Sequence, residues 1–429
     1  MNKVEKLHYA QIQETLFKKT LPNGLTVFLL PKANVTKSYA IFMTNYGSMH
    51  RTFVPIGKNE LVTVPDGIAH FLEHKLFEKE DRDVFSDFMK YGASPNAYTS
   101  FTKTAYLFSA TDNVKENVEL LLDFVQDPYF SEASVEKEKG IIAQEIKMYD
   151  DEPNWRSYMG TVKNMYVNLP INIDIAGTVD SIQQITKEDL YMCYNTFYHP
   201  ANMALFVAGN FDAAEMLELI EQNQAEKTFP EAKPPEVKFP YEPEKVNAQK
   251  ETIKLPVSLP KLSLGIKEKK QQLKGEVLLR QDLIQQMILD HLFSKSGAYY
   301  KELYEKELID DSFDYSTTVE TLFNFTLISS DTEDPERLEN ELKEMLEKTK
   351  SLTIDEATFS IMKKRKMGEY LRSLNSLERI ANEYLHYHFA EIDYFHAISI
   401  LDTLTVDELN EHLAEWISED RLTTFVITK

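Results

Sequence analysis

The stretch Asp66–Glu80, DGIAHFLEHKLFEKE, places two histidines four residues apart with a glutamate directly before the second. No proline interrupts it, and Asp66-Gly67 is typical of a helix start, so this segment is predicted to be a helix. On a helix, positions i and i+4 share a face, so His70 and His74 can reach one ion with Glu73 beside them. This arrangement favours a zinc site that carries its own base. The alternative is an amphipathic helix whose polar residues are solvated.

A third ligand is needed, because a hydrolytic zinc ion takes three protein ligands and keeps a fourth position for water. The candidate lies in residues 135–155, VEKEKGIIAQEIKMYDDEPNW, where Glu138 and Glu145 are seven residues apart. Two helical turns separate them, so both project from one face, while apolar residues cover the rest. A single glutamate on a helix is ordinarily a solvated surface residue. The paired spacing after a histidine motif favours a metal site instead.

His70-Phe71-Leu72-Glu73-His74, followed by Glu138 and Glu145, resembles the inverted zinc motif of the pitrilysin/insulinase-type metallopeptidases. The likeness is to the short two-domain bacterial type related to mitochondrial processing peptidase. Further matching segments are Leu21-Pro22-Asn23-Gly24-Leu25, Gly67, Asn96-Ala97-Tyr98-Thr99, Tyr198-His199-Pro200-Ala201-Asn202-Met203 and Val207-Ala208-Gly209. By this resemblance, His70, His74 and Glu145 bind one zinc ion per chain, Glu73 is the general base, and Glu138 supports the site.

The activity implied by the resemblance is zinc-dependent cleavage of short or unfolded peptides by an endopeptidase. Zinc lowers the pKa of a water molecule toward about 7, and Glu73 accepts its proton and passes it to the leaving amine. Ala93–Phe101 is similar to an edge strand that pairs with an extended peptide, so Asn96, Ala97 and Tyr98 are predicted to bind substrate. An ordinary exposed sheet edge is the alternative.

The two halves of the chain repeat one plan, in which a helix, a strand pair and two helices precede a closing helix and strand. The segments predicted for the first half are Ile68–Phe77, Ala93–Ala110, Asn113–Gln126, Glu132–Met148, Lys187–Phe197 and Met203–Ala208. Those for the second half are Glu276–Lys306, Ser312–Ser330, a helix from Pro335, Glu356–Leu374, Val406–Trp416 and Leu422–Ile427. Strands grouped with helices in blocks indicate an α+β fold. We expect two homologous domains, each a mostly antiparallel sheet with helices packed on one face, which the resemblance describes as LuxS/metallohydrolase-like.

Five prolines fall within residues 229–243, FPEAKPPEVKFPYEP, where no apolar periodicity persists. Such a stretch is extended and semi-rigid, which is typical of a domain linker. We therefore predict a zinc-binding catalytic domain at 1–225, a Pro-rich linker at 226–246, and a homologous non-metal domain at 247–429 that completes the substrate chamber.

The charge balance excludes one class of partner. The chain has 429 residues with 47 Lys+Arg and 69 Asp+Glu, a formal net charge of −22. Nucleic-acid binding needs a basic footprint that this composition does not supply. A lone cysteine, Cys193, indicates a reducing compartment. The N-terminal residues contain no apolar core of signal-peptide length, and no window is long and apolar enough to span a membrane, so we expect a cytoplasmic protein.

The second half departs from the family pattern. Family members carry an Arg and a Tyr there, seven residues apart, that bind the substrate carbonyl. Tyr304 and Asp311 occupy those places here. Either a sister chain supplies the Arg and Tyr in a heterodimer, or this divergent segment is aligned wrongly; we favour the sister chain, and a homodimer is also open. Glu369 falls where the repeat would place Glu145, but no histidine pair accompanies it. The alternative function is a non-catalytic scaffold or processing subunit that retains the fold.

Overall fold

The computed structural model describes residues 3–231, 233–269 and 272–429. Within these residues the strands are β1 (Glu5–Tyr9), β2 (Glu14–Thr20), β3 (Thr26–Pro31), β4 (Ser38–Thr44), β5 (Thr52–Val54), β6 (Val62–Thr63), β7 (Ser94–Thr99), β8 (Thr104–Ala110), β9 (Met203–Gly209), β10 (Glu236–Val237), β11 (Lys250–Lys254), β12 (Lys261–Lys267), β13 (Asp314–Val319), β14 (Asn324–Asp331) and β15 (Leu422–Thr428).

The α-helices of the same residues are α1 (Ile68–Phe77), α2 (Val84–Lys90), α3 (Val114–Val125), α4 (Glu132–Asp150), α5 (Pro153–Met165), α6 (Val179–Gln183), α7 (Lys187–Phe197), α8 (Ala213–Ala225), α9 (Glu276–Phe293), α10 (Ala298–Glu305), α11 (Pro335–Thr349), α12 (Glu356–Ser373), α13 (Leu377–Phe389), α14 (Ala397–Thr403) and α15 (Val406–Trp416). Short 3₁₀ turns lie at Pro170–Asn172, Pro200–Asn202, Tyr394–His396 and Glu419–Arg421.

The repeated plan is visible in the strand order of the two larger sheets. The first sheet has the order β1-β2-β3-β9-β4-β8-β7, and the second has the order β11-β15-β12-β14-β13. In each, one pair is parallel, β3 with β9 and β11 with β15, and every other neighbouring pair is antiparallel. The five strands β3-β9-β4-β8-β7 therefore match the whole second sheet in order and direction. The expected pair of mostly antiparallel α+β domains is confirmed.

The described residues divide into two compact units by their contacts. Unit 1 draws on Met1–Lys147, Ile173–Phe239 and Leu374–Leu385, and unit 2 on Met148–Asn172, Pro240–Ser373 and His386–Lys429. The predicted linker at 226–246 contains the crossing between Phe239 and Pro240. Two further segments, 148–172 and 374–385, pack with the unit that the other half of the chain builds, an exchange that the predicted domain boundaries do not include.

The core of unit 1 lies between the sheet and its helices. Inward side chains of β3 and β9, such as Leu29 and Leu205, share one buried cluster with Phe71 and Leu72 of α1. α3 adds a fully buried stripe at the spacing that its sequence predicts, namely Val118, Leu121, Leu122 and Val125. Each such side chain stabilises the fold by about 1.5–3 kcal/mol through burial. On the other face of this sheet, Tyr384 of α13 contacts Phe28 and Phe206.

Unit 2 corrects one predicted helix. The segment predicted as a single helix, Glu276–Lys306, forms two helices, α9 and α10, which are separated by Ser294–Gly297. Serine and glycine are poor helix formers, and Gly297 lies so close to the preceding turn that a Cβ there would approach the Leu292 carbonyl oxygen at 2.4 Å. The chain therefore turns at this point instead of continuing as a helix.

None of the helices among the described residues combines the length and the apolar composition that a membrane crossing requires.

Candidate metal centre

The start of α1 is set by two glycines that lie against each other's loops. Gly67 has a φ of 87°, and a Cβ there would lie 2.3 Å from the Ala176 carbonyl oxygen. Gly177 has a φ of 75°, and its Cβ would lie 2.6 Å from the Asp66 carbonyl oxygen. Only glycine adopts these angles without strain and permits this approach. The close contact fixes where α1 begins, and therefore where His70 stands.

The two histidines and one glutamate come together as the sequence predicts. His70 Nε2 lies 3.7 Å from one Glu145 carboxylate oxygen, and His74 Nε2 lies 3.5 Å from the other. Ligand atoms of the three residues all lie within 4.8 Å of one another. Zinc–nitrogen bonds of 2.0–2.1 Å in a tetrahedron place neighbouring ligand atoms about 3.4 Å apart. The separations fit a zinc ion with little rearrangement.

Glu138 contacts the ring nitrogen of His74 that does not face Glu145. His74 Nδ1 donates to Glu138 Oε1 at 3.0 Å, in the tautomer that this contact assigns. The Nε2 lone pair is then directed toward Glu145, as in carboxylate–histidine–zinc arrangements. Burial would lower the pKa of His74, but the hydrogen bond to Glu138 and the nearby carboxylates outweigh it and raise that pKa. This is the supporting position that the resemblance implies for Glu138.

His70 is held as a neutral imidazole. Burial, followed by the proximity of His74, lowers the pKa of His70 to about 3. A metal ligand must be unprotonated, so this environment suits the role. Its Nδ1 atom is buried and has no hydrogen-bond partner among the described residues. The other ring nitrogen, Nε2, is the one that faces Glu145.

Glu73 lies on the same helix face and is 8% exposed. Thr99 Oγ1 donates to Glu73 Oε2 at 2.6 Å. Burial raises the pKa of Glu73 to about 7, although the Thr99 hydrogen bond acts to lower it. A base whose pKa lies near neutrality suits proton transfer at neutral pH. In the sequence, Thr99 is marked only by its place in the segment Asn96-Ala97-Tyr98-Thr99, which predicts no role for it.

The predicted substrate strand lies at the edge of its sheet. β7 ends the strand order and pairs with β8 on its inner side. Asn96, Ala97 and Tyr98 all lie on it, and the Tyr98 hydroxyl donates to Asn382 Oδ1 at 2.7 Å. The Asn382 amide in turn donates to the Tyr39 hydroxyl at 2.9 Å. Asn382 is some 280 residues away in sequence, so no local pattern could have identified this contact.

Unit 2 holds ion pairs at the positions that correspond to the metal cluster. Lys366 of α12 lies 2.8 Å from Glu369 and 2.7 Å from Asp290 of α9, and the Tyr315 hydroxyl donates to Asp290 at 3.0 Å. Arg365 pairs with Glu369 at 2.9 Å. Helices α9 and α12 and strand β13 match α1, α4 and β7 in the repeat. A lysine ammonium group therefore neutralises the carboxylates here, and the described residues contain one His/Cys/Asp/Glu cluster suited to a metal, in unit 1.

The two residues aligned with the expected Arg and Tyr lie in unit 2. Tyr304, near the end of α10, is 56% exposed and stacks on Tyr300. Asp311 is also exposed and pairs with Lys295 at 3.4 Å. A carboxylate cannot donate a hydrogen bond in its ionised form, so Asp311 does not reproduce the expected donor.

Two family models match successive parts of the chain. The model described as "Insulinase (Peptidase family M16)" matches residues 57–179, which include the His70, His74 and Glu145 cluster. The model described as "Peptidase M16 inactive domain" matches residues 184–366. Of the ion-pair residues in unit 2, Asp290 and Lys366 lie in the second match.

Proteins similar over the whole chain carry related descriptions. An "uncharacterized zinc protease YmfH" of Bacillus subtilis (strain 168) is 49% identical over 423 residues, which cover 98% of each chain. A crystal structure described as an M16-like peptidase of Alicyclobacillus acidocaldarius has a TM-score of 0.92 at 39% identity, covering 96% of this chain and 98% of that one. A Helicobacter pylori protease covers 100% of both chains with a TM-score of 0.81 at 22% identity, which shows the shared fold.

Proposed function

This chain belongs to the M16 (insulinase) family of peptidases, and from that premise we propose that it is a zinc-dependent endopeptidase acting on short or unfolded peptides. The observation that supports the proposal is the convergence of His70, His74 and Glu145 with a buried Glu73 beside them. A purely structural metal site has no need for a base next to its ligands, so the intact Glu73 weighs against a scaffold role.

The three ligands would hold one zinc ion, with Glu138 orienting His74. When bound, zinc supplies a Lewis acid that polarises the scissile carbonyl and acidifies a water molecule. Glu73 accepts the proton of that water and later delivers it to the nitrogen of the leaving amine as the C–N bond breaks. Burial of Glu73 favours this exchange, because it brings the pKa of the carboxyl group close to neutrality.

The substrate would be an extended peptide that adds to β7. The outer side of an edge strand can pair with the backbone of a further strand, and such pairing recognises a backbone without selecting a sequence. Asn96, Ala97 and Tyr98 would provide this edge. Thr99, the last residue of the same strand, contacts Glu73, which places the edge next to the base.

A second chain would complete the enzyme. Donors aimed at the developing oxyanion contribute about 100-fold or more in rate, and Tyr304 and Asp311 replace the Arg and Tyr expected from the family. We propose that a sister chain lacking the zinc motif supplies them in a heterodimer. A homodimer is the alternative. The cytoplasmic location expected from the sequence also stays a prediction.

The test is a peptide-cleavage assay of the chain alone and mixed with the product of a neighbouring related gene, each with and without chelator. We expect chelator-sensitive cleavage, about one zinc per chain, and loss of cleavage with folding retained in Glu73→Gln. Activity confined to the mixture would support the heterodimer. Absence of stoichiometric metal, together with an unchanged rate in Glu73→Gln, would refute the peptidase assignment, and full activity of the isolated chain would refute the need for a sister chain.

A further inference from the structure

The Glu73 carboxylate has one hydrogen-bond partner within the described part of the chain. Thr99 Oγ1 donates to its Oε2 atom at 2.6 Å, and no other described side chain hydrogen bonds to either oxygen. Glu73 is 8% exposed, so bulk water has little access to replace that bond. A hydroxyl donor on one carboxylate oxygen leaves the other, Oε1, as the acceptor for a further proton.

The Thr99 side chain is itself held in place. Thr99 lies opposite Thr104 in the β7–β8 pairing, and the two hydroxyls are 3.4 Å apart. Thr104 is fully buried and donates to the Tyr46 carbonyl oxygen at 2.9 Å. Thr99 is thus anchored through the hairpin to a buried backbone carbonyl.

The turn that closes this hairpin is also constrained. Its Ser100 N–H donates to the Lys103 carbonyl at 2.7 Å, and Ser100 Oγ accepts the Lys103 N–H at 3.0 Å. A Cβ at Gly47 would lie 2.5 Å from the Ser100 carbonyl oxygen, so the loop that contains Gly47 lies in close contact with the turn. The end of β7 therefore has little freedom to move Thr99 away from Glu73.

We propose that Thr99 is a positioning residue that holds Glu73 in the orientation required for proton transfer. The proposal rests on the peptidase function proposed above. The Thr99 hydroxyl restrains Oε2, so that Oε1 accepts the proton of the attacking water and returns it to the leaving nitrogen. A carboxylate without this restraint can rotate out of line, and a misplacement of about 1 Å can cost about 100-fold in rate.

The position of Thr99 links substrate docking to the base. Asn96, Ala97 and Tyr98, the proposed peptide-binding residues, directly precede Thr99 on the same strand. A peptide that pairs with this edge would therefore add order to the strand that restrains Glu73. Because the hydroxyl is bonded to Glu73, its loss should change kcat and spare KM.

The kinetic test compares Thr99→Val with Thr99→Ser in the active assembly. Valine keeps the shape of the side chain and removes the hydroxyl, whereas serine keeps the hydroxyl. We expect Thr99→Val to lower kcat about 10- to 100-fold with KM within about twofold, and Thr99→Ser to recover most of kcat. Both variants should bind zinc as the wild type does. An unchanged kcat in Thr99→Val, or a loss confined to KM, would overturn the proposal.

A second measurement is independent of activity. The unfolding midpoints of the metal-free wild type, Thr99→Val, Glu73→Ala and the double variant form a double-mutant cycle, in which contacting residues give non-additive effects. We expect the Thr99→Val shift to shrink when Glu73 is already absent, and additive shifts would contradict the contact. If the cycle is non-additive but the wild type cleaves no peptide in any mixture, the peptidase proposal fails and the contact is structural only.

Discussion

Glu138 and Glu145 have the same side chain and lie on the same face of α4, yet their surroundings assign them different tasks. Glu145 presents both oxygens to the Nε2 atoms of His70 and His74. Glu138 contacts the Nδ1 atom of His74. The difference arises from height along the helix, because a seven-residue step moves a side chain about 10 Å along the axis. One carboxylate is thus suited to bind a metal and the other to orient a ligand.

Glu138→Gln should therefore lower zinc affinity about 10- to 100-fold without abolishing binding, because it removes the charge that orients and polarises His74. Competition with a chromogenic chelator measures the affinity. Glu136→Gln is the matched control, since Glu136 lies on the same helix with its side chain largely exposed and pairs with Lys139. Equal zinc affinities in the wild type and Glu138→Gln would show that Glu138 does not support the site.

At the scale of elements, the start of the α1 helix depends on a close backbone contact between two loops. Gly67 and Gly177 each adopt a positive φ, and each lies against the backbone of the other's loop. The histidines can meet α4 only if α1 begins at the observed place. A motif that looks local therefore depends on a loop about 110 residues away.

Gly67→Ala should lower the free energy of unfolding by about 1–3 kcal/mol and weaken zinc binding, because the new Cβ meets the Ala176 carbonyl at a positive φ. Gly140→Ala provides the control. Gly140 lies within α4, where a Cβ would meet nothing within 4 Å, so alanine should raise stability by about 0.5–1 kcal/mol. Urea denaturation followed by circular dichroism measures both variants. If Gly67→Ala left the free energy of unfolding unchanged, the two loops could separate at little energetic cost.

The ion pairs of unit 2 make a corresponding prediction for α12. Lys366→Met removes the cation that Asp290 and Glu369 share. We expect the free energy of unfolding to fall by about 1–3 kcal/mol, a range that takes the partial exposure of these side chains into account. Lys364→Met, at an exposed position of the same helix, should change stability by less than about 0.5 kcal/mol. Equal effects of the two substitutions would show that Lys366 does not act as an internal counter-ion.

At the scale of the whole molecule, the two units share one topology but differ in the charged groups that surround their carboxylates. Matching helices and an edge strand bring carboxylates together in each unit. Unit 1 places two histidines beside them, whereas unit 2 neutralises them with Lys366 and Arg365. A bound metal should consequently stabilise the two units unequally.

Zinc at about 100 times its dissociation constant should stabilise the fold by about 2.7 kcal/mol when it binds only the native state. Hydrogen exchange should show added protection in α1 and in the 132–147 part of α4, with little change in α9 and α12. His70→Ala combined with His74→Ala is the control and should remove the effect. Equal protection in both units would contradict a single metal site in the described chain.

The sequence by itself determined the features that depend on local periodicity and local chemistry. Helices Ile68–Phe77, Lys187–Phe197 and Val406–Trp416 have the predicted bounds, because apolar spacing and capping residues act within a few turns. The candidate ligands His70, His74 and Glu145 were also identifiable. Helical spacing alone places His70 and His74 on one face of their helix, and Glu138 and Glu145 on one face of theirs.

Only the tertiary structure decided which distant segments meet. Segments 148–172 and 374–385 each pack with the unit that the other half of the chain builds. Thr99 contacts Glu73, and Tyr98 contacts Asn382. Each of these contacts joins parts of the chain that share no local sequence pattern. Such contacts are selected by burial and by hydrogen bonding in the folded state, which no window of neighbouring residues contains.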